Sequence, residues 1–597
     1  MAVFLPDEQK YIEKLIEIVE ENFHNNNFGS ADLAKEMGIS HSTLYRRLRA
    51  IAKQSVTQFI RETRLKRAME LLQLQAGSVA EIAYGVGFGS TTYFSKCFRD
   101  YYGCPPGEVR KRYLSKSQVR EHSKRSGDSE GTIRSIAVLP FDNFTGYPNQ
   151  DFLVFGLHDA LITELGSLRD IRVISKTSAL VYTNTDKTIR EICTELDVDA
   201  VIEASVLQLT EKLRIQMKLI RAFPEERQIW AQTFDVEMGN ILNIFNRIIG
   251  KIAGEIQLSL SPDQRLKISD RRDVNPESYK AYLRGKYHLY QVTEEGMQKG
   301  LKYLHEAVRI DPAEPFAHAG LALGYMEIAH GPLNPGDAYI KAESAVFQAL
   351  RLDPDLAEAR LALAELSMYA NWKWDDSEDN FRRALELNPY LSLAHYHYSW
   401  LLFLLGRNEE AVIEHGIAQK HDPFNPMIVA FTGILYAYLG RFGDAIKEAN
   451  KALEIQQDCP DAYYCLEEVY LLMGKKEECI SAARKMAESD PIWKWVLGFA
   501  YAAFHQRDEA NRILQELLQA KTISWNAMGI ACIHSALGNM DEVFKWLDYE
   551  PHHAWVPWTT VMPMGRYMHD DPRFAKFVRK WDMEDRWIRP PLRIVKK

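Results

Sequence analysis

Ser42, Tyr45, Arg46 and Arg49 fall at intervals that place them on one face of a helix, and Thr91, Thr92, Ser95, Lys96 and Arg99 repeat the pattern further along. Hydroxyl, guanidinium and ammonium groups gathered on one helical face suit a polyanion. A guanidinium makes two parallel hydrogen bonds to the O6 and N7 acceptors of guanine, and hydroxyls bond either bases or phosphates. Arg46 is therefore the first candidate for a base contact and Lys96 the second, with Ser42, Tyr45, Thr91, Thr92 and Ser95 beside them. Arg47, Arg49, Lys53 and Arg99 are candidates for phosphate contacts, which position a protein on a duplex without reading its sequence.

Each set needs a helix held firmly from behind. In "SADLAKEMGISHSTLYRRLRAI" a short helix with Leu33 and Ala34 is followed by a Gly38-Ile39-Ser40 turn and a second helix that buries Leu44 and Leu48, with Ser40 as its N-cap. In "SVAEIAYGVGFGSTTYFSKCFRDYYGCPP" the plan recurs: Ile82 and Ala83, a Gly87-Phe88-Gly89-Ser90 turn, then Phe94 and Phe98 buried at the same interval. These two helix-turn-helix units, 30–51 and 78–101, are joined by one continuous amphipathic helix, "TQFIRETRLKRAMELLQ". The double unit resembles the AraC-type DNA-binding domain, and the second half matches that family's signature closely. Val109 departs from it, standing where the family commonly has an aromatic residue before Arg110. The resemblance implies that the second helix of each unit enters the major groove, with the two units on one face of the duplex about a turn apart, ~34 Å.

Charge agrees. The 597-residue chain carries a net charge of −8, yet residues 30–125 hold 18 Lys and Arg against 8 Asp and Glu, so the remainder is strongly acidic. A basic head on an acidic body is the footprint of a polyanion-binding module. Seven scattered cysteines without a Cys-x-x-Cys pair support neither a disulfide framework nor a zinc ribbon. The acidic, amphipathic start and the lack of an apolar run of about 18 residues point to a cytoplasmic protein that meets no membrane.

The fold class expected is multidomain and mainly α: an N-terminal double helix-turn-helix, a middle α/β domain and a C-terminal α-solenoid of helix-hairpin repeats. The DNA-binding domain covers 1–115, and the polar stretch 116–131 is a linker. Strand-like and helical runs then form an α/β domain over 132–262 that resembles the TolB N-terminal-type domain. Its Asp142 and Asn143 fit turn capping better than ligand binding.

From Pro276 the pattern is helical only, and Asp311-Pro312, Asp353-Pro354, Asn388-Pro389, Asp422-Pro423 and Asp490-Pro491 mark a repeat, with intervals of 42, 35 and 34 residues between the first four prolines. Ala384, Ala418 and Ala452 fall in register, as do Gly406 and Gly440, and Cys479 and Glu467 stand where small residues are usual. This resembles the tetratricopeptide repeat over 276–548, about seven units stacked as a solenoid with a concave surface. Residues 549–597 form a C-terminal cap. His552, His553 and His569 lack the spacing of metal ligands, and no catalytic constellation, cofactor motif or metal cluster is visible.

The function expected is a sequence-specific DNA-binding transcription regulator, without enzymatic activity, whose partner is double-stranded promoter DNA. Its α/β and repeat domains receive a signal by binding a protein, by self-association or through a small-molecule effector. The alternative is a tetratricopeptide-repeat interaction scaffold with incidental DNA binding, in which loss of Arg46 and Lys96 leaves function unchanged.

Overall fold

The computed structural model describes isolated positions between 11 and 25 and residues 28–52, 54–73, 79–102, 105–106, 133–145, 150–209, 212–258, 260–262, 264–265, 273–291, 293–330, 335–520 and 523–580. The chain divides into two compact units, 1–130 and 131–597.

The first unit is helical: α1 (Ser30–Glu36), α2 (His41–Ala52), α3 (Val56–Gln73), α4 (Val79–Gly85) and α5 (Thr91–Tyr102). Two separate cores form. Leu33, Ala34, Leu44 and Leu48 pack with Val56, Phe59 and Ile60 of α3 in one, and Ile82, Ala83, Val86, Phe88, Phe94 and Phe98 pack with Leu65 and Ala68 of α3 in the other. The long helix α3 is thus the shared spine, its first half closing one unit and its second half the other.

In the second unit, β1 (Ser135–Val138), β2 (Asp142–Asn143), β3 (Arg172–Val173), β4 (Ala200–Leu209), β5 (Lys212–Arg221) and β6 (Arg227–Val236) form one sheet. Its order is β3-β1-β4-β5-β6, with β2 paired to β4. β1 runs parallel to β3 and β4, and β4–β5–β6 is an antiparallel meander. Alternation along the strands sends side chains to both faces. Ile136, Val138, Ile202 and Met217 meet α6 (Asp151–Gly166) and α9 (Ile241–Glu255), while Ala137, Val201 and Ile220 meet α8 (Ile189–Leu196). A short helix, α7 (Lys176–Leu180), precedes α8. Asn143 holds a turn, as its residue type suggests. Its Oδ1 accepts from the Thr145 amide and hydroxyl at 3.0 and 2.7 Å, and its Nδ2 donates to Asp151 at 2.7 Å.

The rest of the described chain is helix pairs: α10 (Pro276–Leu289) with α11 (Glu294–Ile310), α12 (Pro315–Ala329) with α13 (Pro335–Leu352), α14 (Ala357–Tyr369) with α15 (Trp374–Leu387), and α16 (Ser392–Leu404) with α17 (Asn408–His421). They continue as α18 (Pro426–Tyr438) with α19 (Phe442–Ile455), α20 (Pro460–Leu472) with α21 (Lys476–Ser489), α22 (Lys494–Ala503) with α23 (Arg507–Leu518), and α24 (Ile523–Leu537) with α25 (Met540–Tyr549). Among the described residues there are eight pairs, against the about seven units expected from the sequence. Ala384, Ala418 and Ala452 are fully buried, where two helices of a stack approach. Cys479 and Glu467, both out of pattern, meet each other, the Sγ lying 3.6 Å from Oε1. A last helix, α26 (Pro572–Arg579), lies against α25 through the Phe544–Phe577 ring contact and the Arg573–Asp541 ion pair at 2.7 Å.

The sheet domain and the repeats touch directly. The backbone at Gly156 of α6 meets Leu283 of α10, and Asp422, at an Asx-Pro turn, is buried against the sheet domain. It accepts from the Ser178 amide at 3.1 Å and hydroxyl at 2.6 Å, while the Tyr390 hydroxyl donates to the Arg169 carbonyl at 2.9 Å. The turns that punctuate the repeat are also docking points.

Candidate nucleic-acid interface

α2 starts with Ser40 as its cap, the hydroxyl accepting from the Thr43 amide at 3.3 Å, and α5 starts likewise at Ser90, which accepts from the Tyr93 amide at 3.4 Å. Leu44 and Leu48 on α2, and Phe94 and Phe98 on α5, are fully buried. Burial of those two rows turns the opposite side of each helix outward. Ser42, Tyr45, Arg46 and Arg49 on α2 are exposed, and Thr92, Lys96 and Arg99 on α5 occupy matching positions and are exposed too. Thr91 and Ser95 are half-buried, set toward the edge of the α5 face. Lys53 lies outside the described residues, as do Val109 and Arg110.

The cations differ in how they are held. The Arg46 Nε donates to the Ser42 carbonyl at 3.4 Å, which keeps its guanidinium along the outward face. Arg49 donates to the Tyr45 hydroxyl at 2.5 Å and lies over that ring. Arg47 is drawn aside, its guanidinium 4.1 Å above the Tyr11 ring, a cation–π contact on the flank of α2.

Three residues escape pattern reading. Arg64 on α3 is buried, and its guanidinium donates to the Asn25 and Phe28 carbonyls at 2.9 and 3.4 Å. Burial lowers its pKa from the usual arginine value. It continues the inward row Ile60–Arg64–Ala68, and a cation on an apolar row is the signal that marks it. Tyr93 is exposed beside the α5 readers and hydrogen-bonds Arg61 of α3, a contact that raises the Arg61 pKa above its ordinary value.

The turn glycines are not equivalent. Gly38 has φ +66° with open space where a Cβ would stand. Gly87 has φ +85°, and its Cβ would lie 2.6 Å from the Phe23 carbonyl oxygen and 2.9 Å from the Arg64 guanidinium carbon. Gly38→Ala is expected to cost about 1–2 kcal/mol from the left-handed backbone alone. Gly87→Ala should cost clearly more, read as a larger drop in the thermal midpoint of the first unit.

Residues 33–112 match the family described as a helix-turn-helix domain. The first unit carries a helix-turn-helix domain. Residues 132–251 match the second domain of HilA/YgeH-like transcriptional regulators, over the stretch whose sequence resembles a TolB N-terminal-type domain. Among curated relatives, a putative adenylate cyclase 3 of Rhizobium meliloti (strain 1021) is 29% identical over 189 residues, 32% of this chain and 32% of that protein. Transcriptional regulator HilA of Salmonella typhimurium is 27% identical over 254 residues, 41% of this chain and 45% of that protein. HTH-type transcriptional regulator GadX of Escherichia coli (strain K12) is 31% identical over 149 residues, 23% of this chain and 54% of that protein. The chain thus spans between a third and about half the length of these relatives. No group of three or more residues able to hold a metal ion occurs among the described residues, and no described helix is long and apolar enough to cross a membrane.

Proposed function

We propose that the chain is a transcription regulator of the cytoplasm: the AraC-type domain reads promoter DNA through α2 and α5, and the second unit receives the signal. The observation that carries this reading is the duplication. Two helices, each braced by its own core on α3, present the same outward positions, Ser42/Thr92, Arg46/Lys96 and Arg49/Arg99, in the most basic stretch of the chain. The match to a HilA-like regulator domain directly after it supports a regulatory role, and the named activity of the cyclase relative stays with that protein. In this reading Arg46 and Lys96 contact bases, and Arg47, Arg49, Lys53 and Arg99 contact phosphates. Ser42, Tyr45, Thr92 and the half-buried Thr91 and Ser95 complete the surface.

Selection of bound duplexes by full-length protein and by residues 1–115, followed by titration at several salt concentrations, tests this. Arg46→Ala is expected to cost about 1–3 kcal/mol and to relax specificity at one base pair, whereas Arg99→Ala weakens all sequences alike and lowers the salt slope by about one. Failure of both proteins to select any duplex at low salt would sink the proposal.

A further inference from the structure

Phe28 lies in the core of the first helix-turn-helix and leads through Gly29, the N-cap of α1, into its first helix. Gly87 lies in the turn between α4 and α5 of the second helix-turn-helix, next to Phe88 of the other core. These two places meet. A Cβ on Gly87 would lie 2.6 Å from the Phe23 carbonyl oxygen and 2.9 Å from the Arg64 guanidinium carbon, so the backbone before α1 and the turn before α5 are in direct contact. The spine helix α3 is therefore not the whole connection between the two halves of the reader.

Arg64 fills that junction. It is buried, and its Nη2 donates to the Asn25 carbonyl at 2.9 Å and to the Phe28 carbonyl at 3.4 Å. The Asn25 carbonyl also accepts from the Phe28 amide at 3.1 Å, which closes the turn that delivers the chain to α1. Arg64 Nε, buried as well, has no hydrogen-bond partner among the described residues. A buried cation with an unmatched donor costs stability, and an apolar side chain would continue the row Ile60–Arg64–Ala68 without that cost. An apolar side chain could not donate from α3 to the entry of α1 while lying against Gly87.

We propose that Arg64 is a positioning residue that sets the separation of the two reading helices and so the half-site spacing the protein accepts. Each core grips one end of α3, which leaves each half free to rock about that helix. The guanidinium ties the entry of α1 to the turn before α5 and holds one rotation. α2 and α5 then meet the major groove at a single separation, ~34 Å or one turn of the duplex. This rests on the first unit being a double reader of DNA, and it assigns the geometry of that reading to a residue that touches no DNA.

Full-length protein and its Arg64→Met variant, which keeps an unbranched side chain and loses the donors, are titrated with selected duplexes whose half-sites are moved apart or together one base pair at a time. The variant is expected to bind the best spacing about tenfold more weakly, because hydrogen bonds from a charged donor are lost. It should bind duplexes one base pair longer or shorter nearly as well as the best one, where wild type discriminates. A uniform loss at every spacing with the wild-type optimum, as a merely structural arginine gives, overturns the proposal, and so does an unchanged profile. The second readout needs no DNA. Spin labels on Glu36→Cys of α1 and Tyr84→Cys of α4, both exposed and outside the reading surface, are placed in a Cys104→Ser chain whose other six cysteines are buried. The distance distribution between them should be narrow with Arg64 and broad with Met, and equal widths overturn the proposal. If Arg64→Met fails to fold, Arg64→Lys, which keeps a point charge without the fork, decides by the same measurements: a broader distribution and a second accepted spacing support the proposal, and no change overturns it. Absence of duplex selection by wild type, with a distribution that Arg64 still narrows, sinks the regulator reading and not the clamp, so the two failures are read apart.

Discussion

Asp159→Ala is expected to destabilise the second unit by about 3–5 kcal/mol, the cost of leaving buried charge without its counterion. Asp159 lies on α6 with 14% of its side chain exposed, and its Oδ1 is 3.0 Å from the Lys176 ammonium. Its other oxygen pairs with Lys286 of α10. Lys176 is also enclosed by the Phe155 and Tyr290 rings at 4.3 and 4.7 Å. Removing the carboxylate leaves two ammonium groups facing each other where the sheet domain meets the first repeat. Asp159→Asn keeps the shape and loses the charge, so it should be nearly as costly. The exposed pair Lys187–Glu195, at 2.7 Å, is the control, and its loss should cost about 0–1 kcal/mol. Urea unfolding followed by tryptophan fluorescence measures all three.

The same site gives an acid dependence. Burial pushes the Asp159 carboxyl up, but Lys176 and Lys286 together outweigh it and hold the group well below the ordinary carboxylate range. A carboxyl whose folded pKa is depressed contributes stability above its unfolded pKa, about 3.9, and loses that contribution as pH falls through the folded value. The wild-type chain should therefore lose stability on acidification below about pH 4 more steeply than Asp159→Ala. Parallel slopes would mean that the triad carries no net stabilising charge.

What the sequence discloses is what repeats locally. Leu44 and Leu48, then Phe94 and Phe98, recur at four-residue spacing behind a turn, so the inward rows and the outward candidates follow from periodicity alone. Thr91 and Ser95 come out half-buried where their α2 counterparts His41 and Tyr45 are exposed, a difference that the shared spacing does not carry. Arg64 is hidden for a different reason: its partners are carbonyl oxygens of Asn25 and Phe28, and backbone acceptors leave no trace in sequence. The pairing of Ser178 with Asp422 spans 244 residues, beyond any periodic signal. The spacing predicts α6 as an amphipathic helix, and the structure instead buries it on nearly every side. "DFLVFGLHDALITELG" is apolar on nearly every side, and a helix apolar all round is covered on both faces, here by the sheet and by α10. The segment 550–568 has no helical or strand period to read, and its tryptophans find partners only once the repeats have curved around them.

Phe94→Ala is the sharpest test of the double reader, with an expected loss of about 3–5 kcal/mol from a site that cannot collapse around the missing ring. Phe94 is fully buried, its ring 5.1 Å from Phe88 and 5.5 Å from Phe98. The core it belongs to holds Leu65, Ala68, Ile82, Val86 and Cys97, separate among the described residues from the Leu44–Leu48 core, and α3 contributes to both. The damage should therefore be confined: α4 and α5 lose their packing while α2 stays braced by Val56, Phe59 and Ile60. Lys96→Ala, by contrast, leaves every buried residue in place and, in the proposed reading, removes one contact worth about 1–3 kcal/mol at one base pair. If both helices read one operator, Phe94→Ala reduces binding by the whole second half-site and moves affinity toward the nonspecific level, on the order of a thousandfold or more. In the proposed reading the salt slope falls with it, because Arg99 would lose its phosphate contact. Circular dichroism of residues 1–115 reports the partial melt, and titration of the selected duplex reports the binding. A Phe94→Ala protein that melts early yet binds that duplex with unchanged affinity and salt slope would show that α2 reads alone and that α5 is scaffolding.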